Sequence, residues 1–198
     1  NDTVQDIIEK FGVKPAVMVY PMGAENDFRG VIDLLTEKAL YWKDTAADTE
    51  PEVKEIPEEY KAAVAEERAK LVEAIAETDE ALLEKFFSDE KLAVNELKAA
   101  LRKAVINYEL VPIYAGSSLK NTGVQPMLDA VVEYLPSPVD VDHIKGTNPK
   151  TGEEEERKLI PNEKTSALSF KIQTDPHVGK LTYTRVYSGV IEAGSYIY

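Results

Sequence analysis

Leu110-Val111-Pro112-Ile113-Tyr114-Ala115-Gly116-Ser117-Ser118-Leu119-Lys120-Asn121-Thr122-Gly123-Val124-Gln125 is the stretch on which the fold turns. Residues 110 to 115 are apolar and β-branched enough to read as a short buried strand, and a loop from Gly116 to Asn121 follows. Thr122-Gly123-Val124-Gln125 fits a capping box, and Val124, Met127, Leu128, Val131, Val132 and Leu135 mark a helix that Pro136 and Pro138 end. Strand, loop and helix in this order form the building unit of α/β domains, and backbone N–H groups at such a junction can point at a ligand's acceptor atoms. An ordinary connection that binds nothing has the same local pattern, so the loop alone leaves both readings open.

On the N-terminal side, residues 1 to 12 read as an amphipathic helix closed by Gly12. The apolar run from Val13 to Met22 reads as a strand, Gly23 to Asp27 as a turn, and Phe28 to Leu35 and Lys38 to Lys43 as further short apolar segments. Together they predict a small sheet packed beside helices over residues 13 to 56. Pro57 sits where a first-turn proline would, and Tyr60, Val64, Leu71, Ile75, Leu82 and Phe86 then recur at alternating spacings of four and seven, one long apolar face. Thr78-Asp79-Glu80 predicts a break in it. A further helix is expected from Asn95, with Leu97, Leu101, Ala104 and Val105 as its buried stripe.

On the C-terminal side, Pro136 to Lys164 is rich in Pro, Gly, Asp and Glu with little apolar periodicity and reads as a domain linker. Leu168, Phe170 and Ile172 then alternate with polar residues, Asp175-Pro176-His177-Val178-Gly179 turns, and a second alternating run continues through Tyr187, the pattern of a hairpin beginning a β-barrel. The chain starts without methionine at a helix and stops at Tyr198 inside a strand-like run, so both ends are expected to be artificial.

Composition narrows the chemistry. With 198 residues, 43% of them hydrophobic, the chain can bury a sizeable core. A net charge of −13 argues against phosphate binding spread over the whole surface, so any nucleic-acid contact is local and free DNA is not an expected partner. Cysteine is absent, which removes disulfides, zinc-cysteine sites and thiol nucleophiles and fits a cytoplasmic setting. The longest apolar runs, such as Ala16 to Tyr20, fall far short of the roughly 20 residues that cross a bilayer, so no membrane contact is expected. His143 and His177 are the only histidines and lie in turn-like contexts, too little for a triad or a histidine metal site. Glu153 to Glu156 reads as a solvated turn. Asp27-Phe28-Arg29-Gly30 matches a short D-x-x-G pattern but reads as a turn, and Gly146 to Gly152 lacks the G-x-x-x-x-G-K-[ST] of a phosphate loop, with Pro149 removing a backbone donor.

Longer blocks fall in one order: Tyr20-Pro21-Met22-Gly23-Ala24-Glu25-Asn26-Asp27-Phe28-Arg29-Gly30-Val31-Ile32-Asp33-Leu34, then Gly116 to Gln125, then Tyr134-Leu135-Pro136-Ser137-Pro138, then Phe170 to Thr182 with Arg185-Val186-Tyr187-Ser188-Gly189. In content, order and spacing they resemble the bacterial elongation factor G family of translational GTPases, over essentially the whole chain. The resemblance implies an α/β fold, in which an α+β insertion subdomain sits on a partial P-loop-type G domain, followed by the first strands of a β-barrel. It implies a late G-domain helix at 1–12, the insertion subdomain at 13–108, the closing strand, guanine loop and helix of the G domain at 109–136, a linker at 137–164 and a truncated domain II barrel at 165–198.

Gly116-Ser117-Ser118-Leu119 matches the family's fifth guanine-binding motif, where the second serine position is commonly alanine and backbone amides meet the base. Ser117, Ser118 and Leu119 are therefore the implied partial guanine site, with no catalytic and no metal residue expected in this chain. The family's phosphate loop, switches and N-K-x-D motif do not occur here, so the chain is expected to be an internal fragment without GTPase activity and with no cofactor bound. The resemblance implies for the parent a GTPase that binds GTP or GDP and magnesium and drives movement of transfer RNA and messenger RNA through the ribosome. The insertion subdomain would face the ribosomal stalk protein and domain II the small subunit, while the cut barrel would leave strand edges for pairing between chains. Two other readings stand beside it: an acidic protein-interaction module without nucleotide, presented by the helix bearing Tyr60 to Phe86, and a related ribosome-protection, release or recycling GTPase.

Overall fold

The computed structural model describes residues 2–43, 50–88, 90–141 and 143–196. Helix α1, Asp2–Phe11, ends as expected at Gly12, whose N–H donates to the Ile8 carbonyl at 2.8 Å. The apolar run after it does not remain one strand. Pro15–Val17 (β1) lies parallel to Val111–Ile113, whereas Val19–Met22 (β2) pairs antiparallel with Gly30–Asp33 (β3). Met18 is the crossing point: its N–H donates to the Ile113 carbonyl at 2.9 Å, and its own carbonyl accepts from the Leu34 N–H at 3.0 Å. Lys38–Tyr41 (β4) and Glu52–Lys54 (β5) complete a four-stranded antiparallel sheet in the order β2, β3, β4, β5.

The long apolar stripe folds as two helices, Glu58–Ala76 (α2) and Glu80–Phe87 (α3). The break falls where Thr78-Asp79-Glu80 places it, because the Asp79 carboxylate accepts from the Ala81 and Leu82 N–H groups and starts a new helix. Val64, Leu71, Ile75 and Leu82 are buried, while Tyr60 and Phe86 pack at the margin of the core. Pro57 precedes α2 as its cap rather than entering the first turn. The next helix, α4, runs Val94–Ile106, so Asn95 is inside it and does not cap it. Glu96 supplies the cap instead, its carboxylate accepting from the Ala93 N–H at 3.1 Å while also pairing with Lys85, which holds its carboxyl below the usual range.

Val111–Ile113 is β6, and Val124–Tyr134 is α5. One core joins these elements: Ala16, Val19, Met22, Val31, Ile32 and Leu34 from the strands meet Ile75, Leu97, Leu101 and Ala104 from the helices. Of α5, Ala130 and Tyr134 enter that core, whereas Met127, Leu128, Val131 and Val132 stay exposed. The fold is thus mixed helix and strand, α/β, as the sequence implies.

The chain divides into two units, Asn1–Leu135 and Pro136–Tyr198. In the second, His143–Thr147 (β7) and Glu154–Lys158 (β8) form an antiparallel hairpin inside the stretch read as a linker. The Glu153 to Glu156 run, read as a solvated turn, supplies most of β8. Charge rather than apolar alternation marks this hairpin: Lys145 faces Glu154 and Glu156 across the strands at 3.6 and 3.3 Å. Its turn is held by Asn148, whose side-chain oxygen accepts from the Lys150 N–H at 2.9 Å. Ser166–Asp175 (β9) and Gly179–Ser188 (β10) form the second hairpin, turned where expected, with the Asp175 carboxylate accepting from the His177 and Val178 N–H groups. Among the described residues the strands of this unit form these two two-stranded sheets.

Candidate functional site

Parallel pairing with β1 carries β6 out of the core at Ala115, where the chain must reverse into α5. It does so over a loop closed by a two-way backbone bridge: Ser117 N–H donates to the Thr122 carbonyl at 2.8 Å and Thr122 N–H to the Ser117 carbonyl at 3.0 Å. The Ser117 hydroxyl accepts from the Lys120 N–H at 3.3 Å, and Asn121 turns the chain at a φ of +49°. The capping box expected at Thr122 is absent: the Thr122 hydroxyl donates to the Lys120 carbonyl, and Gly123, at φ +77°, takes the cap position. Glycine is required there sterically as well, because an added Cβ would lie 2.9 Å from the Ala115 carbonyl oxygen, and one on Gly116 would lie 2.8 Å from that of Thr122. The two ends of the loop touch backbone to backbone.

This geometry separates the three sequence-implied site residues. Ser117 is consumed by the bridge, its amide and hydroxyl both turned into the loop. The amides of Ser118 and Leu119 have no acceptor among the described residues, and the Leu119 side chain, 93% exposed, rims the loop. Two neighbouring N–H donors suit a single acceptor oxygen, such as the carbonyl on the edge of a guanine base. Among the described residues no cluster of three or more His, Asp or Glu could hold a metal ion.

Residues that the sequence did not signal tie the loop to the four-stranded sheet. The Lys120 ammonium donates to the carbonyls of Glu25 and Asn26 at 3.4 and 3.2 Å, in the short 3-10 turn between β2 and β3. The Trp42 indole N–H, just past β4, donates to the Gln125 side-chain oxygen at 3.0 Å in the first turn of α5. These partners are remote in sequence, and no local pattern could have paired them. Burial pushes the Tyr114 and Tyr134 phenols well above their ordinary value, with Asp33 adding to the effect at Tyr114.

Comparison with curated proteins finds 47% identity over 194 residues, 98% of this chain, to elongation factor G of Aquifex pyrophilus. The chain belongs to the elongation factor G family. It spans 28% of the length of that relative, so it corresponds to a segment of an elongation factor G. A crystal structure of a Thermus thermophilus protein superposes with a TM-score of 0.70 at 29% identity, covering 95% of this chain and 25% of that one. No protein-family model matches the chain. No helix among the described residues is long and apolar enough to cross a membrane.

Proposed function

We propose that this chain contributes the guanine-facing loop, the insertion subdomain and the opening strands of domain II to a GTP-dependent translocation factor that moves transfer RNA and messenger RNA on the ribosome in the cytoplasm. The observation that carries the site is the pair of open amides at Ser118 and Leu119 where β6 hands over to α5. Guanine presents a carbonyl oxygen where adenine presents an amino group, so two fixed N–H donors accept the first and repel the second. Fixing those donors on a loop closed by the Ser117–Thr122 bridge avoids ordering them at the moment of binding.

The phosphates and magnesium would be held by parts of the factor whose motifs this sequence lacks; when bound, they supply the charge stabilisation that phosphoryl transfer needs. Alone, the segment hydrolyses nothing and keeps only base-edge contacts. In the whole factor the insertion subdomain would meet the ribosomal stalk protein and domain II the small subunit.

Nuclear magnetic resonance titration of the ¹⁵N-labelled chain with guanosine and with adenosine tests the site. Guanosine is expected to shift the Ser118 and Leu119 amides at millimolar concentration and adenosine to leave them in place. Equal shifts from both nucleosides, or none at these amides, would refute the guanine assignment. Saturable micromolar binding of mant-GDP with magnesium would refute the claim that the segment has no phosphate cradle.

A further inference from the structure

We propose that Lys120 and Trp42 are positioning residues that lock the guanine-facing loop to the four-stranded sheet, so that the sheet sets where the Ser118 and Leu119 amides point. The use of those amides for a base rests on the guanine reading; the lock itself does not.

Three observations carry it. The Lys120 ammonium bridges the loop to the 3-10 turn Glu25–Asp27, and it does so onto two carbonyls at once. Hydrogen bonds from a charged donor are the stronger kind. At the other end of the loop the half-buried Trp42–Gln125 bond, 3.0 Å long, ties the start of α5 to the edge of β4, so the loop is held on both flanks. Finally, both partners of the Lys120 bridge contain a non-glycine residue in the left-handed region, Glu25 at φ +51° and Asn121 at φ +49°. Such conformations persist where surrounding contacts over-determine them. Each loop has its own internal bonds, and the Lys120 bridge adds a contact that holds the two together.

Amide hydrogen exchange on the intact 198-residue chain tests the lock without any nucleotide. Lys120→Met keeps the aliphatic stem and removes the donor; Lys120→Arg restores a cation in reach of the carbonyls. In Lys120→Met, exchange at Ser117, Thr122 and Asp27, all bridge or turn amides, is expected to rise about tenfold, the order that loss of a charge-assisted bond gives. In Lys120→Arg it is expected to return toward the original rate. Trp42→Phe should raise exchange at Thr122 while leaving Asp27 unchanged. Core amides of α4 serve as the control and should not move. Unchanged exchange at Ser117 and Thr122 in both Lys120→Met and Trp42→Phe would overturn the lock. So would a rise in Lys120→Met that arginine fails to reverse, or one that spreads equally to α4, since either would mark a general loss of stability. If guanosine shifts are missing while the exchange pattern appears, the guanine reading fails and the lock stands.

Discussion

Tyr134 is among the largest side chains fully enclosed in the core, 1% exposed, and with Tyr114 it carries an ionisable group into that interior. Burial raises both phenol pKa values, so the folded state retains protons that the unfolded chain gives up. Stability from these groups is complete below the ordinary tyrosine value near 10 and falls as pH rises beyond it. Alkaline titration followed by tyrosinate absorbance, with circular dichroism recorded alongside, checks this. The Tyr114 and Tyr134 signal should appear only together with loss of helical circular dichroism. Reversible ionisation of every tyrosine in the folded chain would contradict the enclosed placement.

At the level of elements, α4 closes with a Schellman arrangement: Tyr108 N–H donates to the Val105 carbonyl and Glu109 N–H to that of Ala104. The residue in the left-handed position is Tyr108, at φ +61° and 88% exposed, where glycine is usual. A non-glycine residue there costs about 1–2 kcal/mol, so Tyr108→Gly is expected to stabilise the chain by about 1 kcal/mol in urea denaturation. A lower midpoint would mean that the exposed ring contributes contacts worth more than the strain. Elements whose signals are local were legible from sequence: the α2–α3 break at Thr78-Asp79-Glu80, the glycine end of α1 and the Asp175 turn of the β9–β10 hairpin. The β7–β8 hairpin was not, because its alternation is one of charge, Lys145 against Glu154 and Glu156, and apolar periodicity is blind to it. For the site, the Gly116-Ser117-Ser118-Leu119 loop stood out in the sequence. The Lys120 and Trp42 bonds did not, since their partners lie in other elements.

Across the whole molecule, burial is uneven. The first unit encloses one contiguous core, while in the second Phe170 and Ile172 are exposed on β9 and the two hairpins form separate small sheets. A two-stranded hairpin without a covered face is marginal in water. Amide exchange is therefore expected to be slowest in β3 and α4 and fastest in β9 and β10, unless protection of β9 and β10 grows with protein concentration through pairing between chains. Strong concentration-independent protection of these strands in a monomer would disprove this. The first unit carries a different constraint, set at Met18, whose peptide bonds to both sheets. Side chains alternate in direction along an extended chain, so losing or gaining one residue between Val17 and Val19 would turn β2 inside out relative to β1. Length variation among related chains should then gather before Pro15 or after Met22, and the segment between them should keep a constant residue count even where its side chains differ.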